Sequence, residues 1–452
     1  MSLVDRLAQG APTTGFLKVR IGKSTYQLPG CMEQSGRILQ VKVLLGMHEE
    51  LYDQFLLEIG IYREGSSRLP TIGEVAEFHS TNSVATLVQL GKPFVPEYQS
   101  DRPIEVVFKP RFVMDCAAPQ VNLAKPIGAS AAISGLTHWM HGSRVIRSME
   151  AESRALDGGP SLVTLGSLNH QPKSFDFSEK GLSVGIEPGV ESYRSDWADI
   201  IGLRFQSAIT IEGGDDFKWA DYFELIRSFQ ELVELLAWSR LPATNLRLKF
   251  RNLEASEYED WISVLNRSFI SEDNALLHQQ VVNFILPFEK LTRESLERWF
   301  NMRTEYSRSF RLFLQVLHSR AMGPEVTALQ LGAGFEALGY VTICKHFSKT
   351  QANKAPTIEF FEDASSVARR LFPDRFESWP ELANSQYQAM KHLRKPLLST
   401  GVIAELNNLS TLVFQTWLAH ELGATDDEIV EYTEETGRLK AQYFQLPDPS
   451  DL

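Results

Sequence analysis

The segment KHLRKPLLSTG, residues 391–401, gathers the residue types that handle a phosphodiester. Arg394 is a permanent cation whose planar fork matches phosphate oxygens, Lys395 adds a compact point charge, and His392 can exchange a proton near neutral pH. Ser399 and Thr400 offer only hydroxyls, whose very high pKa rules out proton transfer at pH 7. His392 precedes Ser399 by seven residues, so on an unbroken helix the two share a face about 10 Å apart along the axis. Pro396 stands between them. Its ring collides with the carbonyl four residues back, that of His392, so a kink is expected that brings His392 nearer the arginine. Two readings follow: His392 supplies the missing proton transfer, or it is an exposed structural histidine and the site is impaired.

Other candidate sites are weaker. GAGFEALG (332–339) has three glycines inside a helical pattern but matches neither phosphate-loop spacing, so close helix packing is expected there, with Glu336 a core-facing acid that has a partner. His138 and His141 in THWMH lack the acid or cysteine that would complete a metal set. Ser161 in GGPSLVTLG has no nucleophile-elbow pattern and no histidine partner. Arg293, Arg298, Arg303, Arg308 and Arg311 step around their helix rather than line one face. They read mainly as a solvated surface paired with Glu294, Glu297 and Glu305, with Arg303 and Arg308 the candidates for holding an RNA backbone. No metal and no cofactor is expected.

A chain of 452 residues with 43% hydrophobic residues, 27 Phe and 8 Trp has material for two or three cores. Its net charge of −12 argues against a protein that coats nucleic acid nonspecifically. The charge is uneven: Glu421 to Leu452 holds nine acids against two bases, whereas Arg293 to Arg320 holds six arginines against three glutamates. A local basic face is compatible with an acidic whole. The scattered Cys31, Cys116 and Cys344 suggest buried thiols rather than disulfides or zinc ligands. Without a signal-peptide pattern or an apolar run of about 20 residues, a cytoplasmic protein with no membrane contact is expected.

The first 215 residues alternate in the manner of strands, in GFLKVRI, GRILQVKVLLG, IEVVFKPRFVMDC, SFDFSEKGLSVGIEPG and LRFQSAITIEGG. They predict an antiparallel sandwich or barrel-like domain. Composition makes REGSSRLPTIGE and APQVNLAKPIGAS loops, and AAISGLTHWM a short helix. From Lys218 the period becomes helical, NLRLKFRNL reads as one more strand, and helices follow: NALLHQQVVNFILPF, LTRESLERWFNMRTEYSRSFRLFLQVLHSR, EVTALQLGAGFEALGYVTICKHFS, DASSVARRLF, one holding the opening segment, and IAELNNLSTLVFQTWLAHELG. A capping box at Thr425–Glu428 starts the last. The expected class is α+β, with a β-rich domain over 1–255 and an all-α bundle over 256–452.

This arrangement resembles ApeA-type proteins, which join an N-terminal β-rich ApeA domain to a C-terminal helical HEPN domain. The residues that carry the likeness are GLTHWM (135–140), FELIRSFQELVELLAWS (223–239), ERWFNMRTEYSRSFRLFL (297–314), GFEALGY (334–340), the LR…STG segment and WLAHELG (417–423). HEPN ribonucleases carry an arginine, a polar residue and, after four to six positions, a histidine. The resemblance places Arg394 and Lys395 on the first two and Ser399 or Thr400 on the third. It implies an anti-phage defence protein acting on cellular RNA such as tRNA. Cleavage would be metal-independent and leave a cyclic phosphate, at a composite site of a homodimer formed through the helical domain. A phage-derived trigger would act at the N-terminal domain. The alternatives are a catalytically inactive HEPN-type module that binds RNA or protein, and a scaffold without RNA contact.

Overall fold

A computed structural model describes residues 3–21, 24–35, 38–44, 55, 72–81, 83–88, 90, 98–99, 102–103, 105–116, 121–140, 172–177, 181–188, 190–194, 201–205, 207–214, 216–252, 259–266, 282–319, 322–392, 397–436, 439 and 446. The chain divides into two units, one of Met1–Ser134, Gln171–Ile226 and Pro242–Gln279, the other of Gly135–His170, Arg227–Leu241 and Gln280–Leu452. The fold is α+β, an antiparallel sheet followed by a helical C-terminal region.

The first unit holds a 13-stranded sheet. Its order is Lys173–Phe177, Leu182–Glu187, Ala208–Gly213, Val121–Ile133, Ala243–Asn252, Glu259–Asn266, Phe112–Met114, Val84–Val88, Ile72–His79, Thr13–Ile21, Ser24–Ser35, Ile38–Leu44 and Glu105–Phe108. Every pairing along it is antiparallel. Alternation sets the register, because a one-residue slip would turn each apolar side chain to the wrong face. Leu17 lies between Leu28 and Phe78, and Val19 between Tyr26 and Ala76, all buried, while Lys18 on the opposite face meets Glu77 at 3.3 Å. Leu3, Val4 and Leu7 of helix α1 (Leu3–Ala8) join this core.

Two segments depart from expectation. Val121–Ile133 is a 13-residue strand where composition suggests a loop. Its register shifts at Pro126 and Gly128, and an irregular ladder is where a strand accommodates a residue with no N–H. Glu259–Asn266 is also a strand of this sheet, so the sheet continues past residue 255. The expected helix beginning at Asn274 lies mostly outside the described residues.

Helix α2 (Trp219–Ala237), whose residues from Arg227 belong to the second unit, ends with Trp238 in the left-handed region at φ 47°. Trp238 N–H donates to Leu235 O and Ser239 N–H to Glu234 O, the bond pair of a Schellman cap, at a position usually held by glycine. Packing of the Trp238 ring on Phe313 and Phe414 offsets that backbone cost. Downstream lie α3 (Arg293–Glu305), α4 (Ser307–His318), α5 (Pro324–His346), α6 (Lys349–Ala352), α7 (Thr357–Ala364), α8 (Ser366–Leu371), α9 (Pro373–Phe376), α10 (Trp379–Lys391), α11 (Thr400–Glu421) and α12 (Asp426–Glu435). The long arginine-bearing run is thus two helices broken at Tyr306, and the capping box at Thr425 is present. By length and composition α5 is long and apolar enough to cross a membrane, yet its glycines seat it against neighbouring helices.

Those glycines carry close contacts rather than a ligand. A Cβ at Gly334 would stand 2.8 Å from Phe313, one at Gly332 would overlap the Tyr387 ring, and one at Gly339 would meet Phe360 Cα and O at 2.5 Å. The obstacle at Gly339 is backbone, which cannot rotate away. Gly339→Ala should therefore cost about 1–3 kcal/mol of stability, read as a lower midpoint in urea unfolding followed by circular dichroism. An unchanged midpoint would refute tight α5–α7 packing.

Candidate functional site

The opening segment is a connector rather than one kinked helix. A helix continued to Pro396 would lose that residue's N–H and drive its ring against the carbonyl of His392. The helix instead stops earlier: α10 ends at Lys391, and His392 is extended at φ −135°, ψ 112°. The next helix starts at Thr400 with Ser399 as its N-cap. His392 and Ser399, both exposed, therefore stand at the two ends of the connector and share no helical face. Arg394 and Lys395 lie outside the described residues.

Charged and polar ties hold each end. At the first, Tyr387 Oη donates to Glu336 Oε2, and Lys391 Nζ lies 3.5 Å from the same oxygen and 4.6 Å from the Tyr387 ring centre. Burial, reinforced by the adjacent Glu336 carboxylate, pushes the Tyr387 hydroxyl well above the ordinary tyrosine range. Arg308 opposes that shift, so its positive charge reaches this cluster. Ser309, beside it, donates to Gly334 O at 2.8 Å and locks α4 along α5. At the second end, Leu398 N–H donates to Gln386 Oε1 at 3.2 Å, Thr400 Oγ1 to Glu325 Oε1 at 2.9 Å, and Asn407 Nδ2 to Pro324 O at 2.9 Å.

The expected site residues thus separate. Arg308 is exposed and its charge acts on Tyr387, whereas Arg303 is engaged elsewhere through Nε to Glu231 Oε2 at 2.5 Å. Arg293 pairs with Glu297 at 3.1 Å, and Arg298 donates to Glu421 O at 3.0 Å. His420 is 20 residues beyond Thr400 on α11, about 30 Å along the axis. His346 is ten residues beyond Glu336 on α5, about 15 Å. Neither reaches the connector, which leaves His392 as the imidazole at this place among the described residues. Burial pushes the His138 imidazole below its ordinary range, and His141 and Ser161 lie outside the described residues. No group of three or more His, Cys, Asp or Glu side chains is placed to hold a metal among the described residues.

Sequence spacing hinted at one part of this cluster, since Tyr387 and Lys391 are an i,i+4 pair on α10. The roles of Gln386 and Glu325 had no such signal, because both partners lie far away in sequence or across a helix break. No family model, curated protein or solved structure matches the chain.

Tyr387→Phe removes the donor to Glu336 and should cost about 1 kcal/mol, the low end for a charged acceptor because Glu336 is partly exposed. The hydroxyl titrates higher in the folded state than the about 10 of an unfolded tyrosine. Its contribution is therefore complete below pH 10 and is lost as pH rises beyond it. The variant's stability should fall less steeply than wild type above pH 10 in urea titrations. Parallel alkaline arms would show that Tyr387 has no such linkage.

Proposed function

We propose that this chain is an ApeA-like, HEPN-type defence protein that engages cellular RNA at the 391–400 connector, with impaired cleavage. The single observation that carries this reading is the connector itself: a break between two helices, exposed at His392, Leu397 and Ser399 and tied on both sides, that has Arg394 and Lys395 in its sequence and Lys391 at its first end. The helical region's α+β context and the order of its elements accord with the resemblance.

The chemistry follows from the residue types. Arg394 would grip a phosphodiester through its fork, with Lys395 adding charge. A ribose 2′-hydroxyl that attacks the neighbouring phosphorus must lose its proton, and the leaving 5′-oxygen must gain one. Ser399 performs neither transfer at pH 7, so His392 is the imidazole available to assist. A single imidazole at one end of the connector serves one transfer better than two, which is why a homodimer that pairs two connectors is part of the proposal. A phage-derived trigger acting on the β-rich unit would regulate it.

Arg394→Ala should weaken binding of a tRNA-like oligonucleotide by the ~1.5–3 kcal/mol of a charged hydrogen bond, measured by filter binding at fixed salt. Undiminished binding would remove the arginine from the site.

Ser399→His restores a proton carrier at an exposed N-cap and should raise cleavage in EDTA by ~100-fold or more, giving products that end in cyclic phosphate. If His392 already serves fully, the pattern reverses: His392→Ala abolishes an efficient wild-type activity and Ser399→His adds little. Fast wild-type cleavage that survives Arg394→Ala would sink both forms of the proposal.

A further inference from the structure

The first turn of α11 is without a side-chain cap among the described residues. Ser399 caps it with extended backbone at φ −65°, ψ 149°, but its hydroxyl makes no cap hydrogen bond, and the first turn, Thr400-Gly401-Val402, carries no acid. Helix geometry leaves the N–H groups of those residues without intrahelical acceptors, and no described residue accepts from them. By contrast, Thr292, Ser348 and Thr425 close the starts of α3, α6 and α12 with side-chain oxygens.

A second, separate observation lies next to it. Gln386 is only 2% exposed, and its Oε1 accepts from Leu398 N–H at 3.2 Å, which fixes the carboxamide at the residue before the cap. Its Nε2 is buried and has no acceptor. A buried donor left unpaired is costly, and such groups in a folded protein point to an unseen acceptor. Orphan helix N–H groups, a free cap hydroxyl and an unpaired carboxamide N–H are all donors, and the carboxamide is tied to Leu398, the residue before the cap.

We propose that the N-terminus of α11 is a seat for a phosphate group, held by Ser399 Oγ and the N–H groups of Gly401 and Val402, with Gln386 Nε2 as the inner donor. The helix dipole favours an anion there, and Gly401 carries no Cβ to hinder approach to its backbone. Glu325 opposes it, since its Oε1 accepts from Thr400 Oγ1 at 2.9 Å and its charge weakens the seat. The proposal depends on the RNA reading only for what carries the phosphate: an RNA backbone or a free phosphate ion presents the same group.

The test uses the full chain and inorganic phosphate, with sodium chloride of equal ionic strength as the control. Phosphate should raise the unfolding midpoint of wild type beyond chloride. Ser399→Asp supplies an internal carboxylate cap, so it should raise the midpoint without phosphate and weaken phosphate binding at least about tenfold. Glu325→Gln should strengthen the phosphate effect, a change that general destabilisation would not produce. A wild type indifferent to phosphate, or a Ser399→Asp variant with the full phosphate shift, overturns the seat. The same proteins are then titrated with a tRNA-like oligonucleotide. Phosphate binding without RNA binding keeps the seat and defeats the RNA reading. RNA binding without any phosphate shift does the reverse.

Discussion

Burial of α11 on all sides is the constraint from which the rest of the helical unit follows. From Leu409 to Ala419 every side chain is buried, so the helix must be met by packing partners around its whole circumference. Aromatic rings supply most of them. Phe414 lies 4.1 Å from Phe313 between ring centres, 6.1 Å from Phe310 and 5.8 Å from Trp238, and Trp417 meets Tyr306 edge-on at 5.2 Å. A helix so enclosed has no amphipathic stripe to display, and its polar side chains need internal partners. Ser410 accepts from Trp379 Nε1 and donates to Leu406 O. Gln415 Nε2 donates to Leu236 O at 2.8 Å, satisfying a carbonyl at the end of α2 that the helix itself leaves open.

Enclosure of the middle moves every degree of accessibility to the ends. The first turn of α11 emerges at Thr400, immediately after the connector, and its last turn at His420 and Glu421, where Arg298 reaches the Glu421 carbonyl. Close approach of α5 is what allows this arrangement, because Gly332 and Gly334 admit the Tyr387 and Phe313 rings against its backbone. The same approach brings Glu336 to Tyr387 and Lys391. Packing of small residues and the polar cluster at the connector are therefore one feature seen at two levels: the glycines set the distance, and the distance sets which charges meet.

Local pattern made much of this legible. Alternation fixed the strands around Leu17, Val184 and Leu248, and the helical period fixed α2, α5 and α11, because those signals depend only on neighbours a few residues away. The Thr425 capping box was readable for the same reason. What sequence could not show depended on tertiary contact. Val121–Ile133 is made a strand by partners on both sides despite Pro126 and Gly128. Trp238 adopts a conformation that glycine would take more cheaply because its ring fills a place between Phe313 and Phe414. At the connector, Pro396 suggests a kink within one helix, and local sequence does not say that the helix instead stops at Lys391. Nor does it say that Gln386, twelve residues before Leu398, will hold the far end.

That far end bears on how an acidic protein could handle RNA. Net charge acts over a Debye length of about 8 Å at physiological salt, so a phosphate at the connector responds to local groups more than to the total of −12. Glu336 takes up part of the Lys391 charge and Glu325 stands beside Thr400, so each end of the connector pairs its donors with a carboxylate. Such pairing lowers affinity for any polyanion that merely drifts past and reserves binding for one whose phosphates meet fixed donors in register. Specificity by this route is a difference between a correct and an incorrect geometry rather than a gain in attraction. On the proposed RNA reading, the two carboxylates would belong to the same logic as the cations they oppose, trading affinity for selectivity.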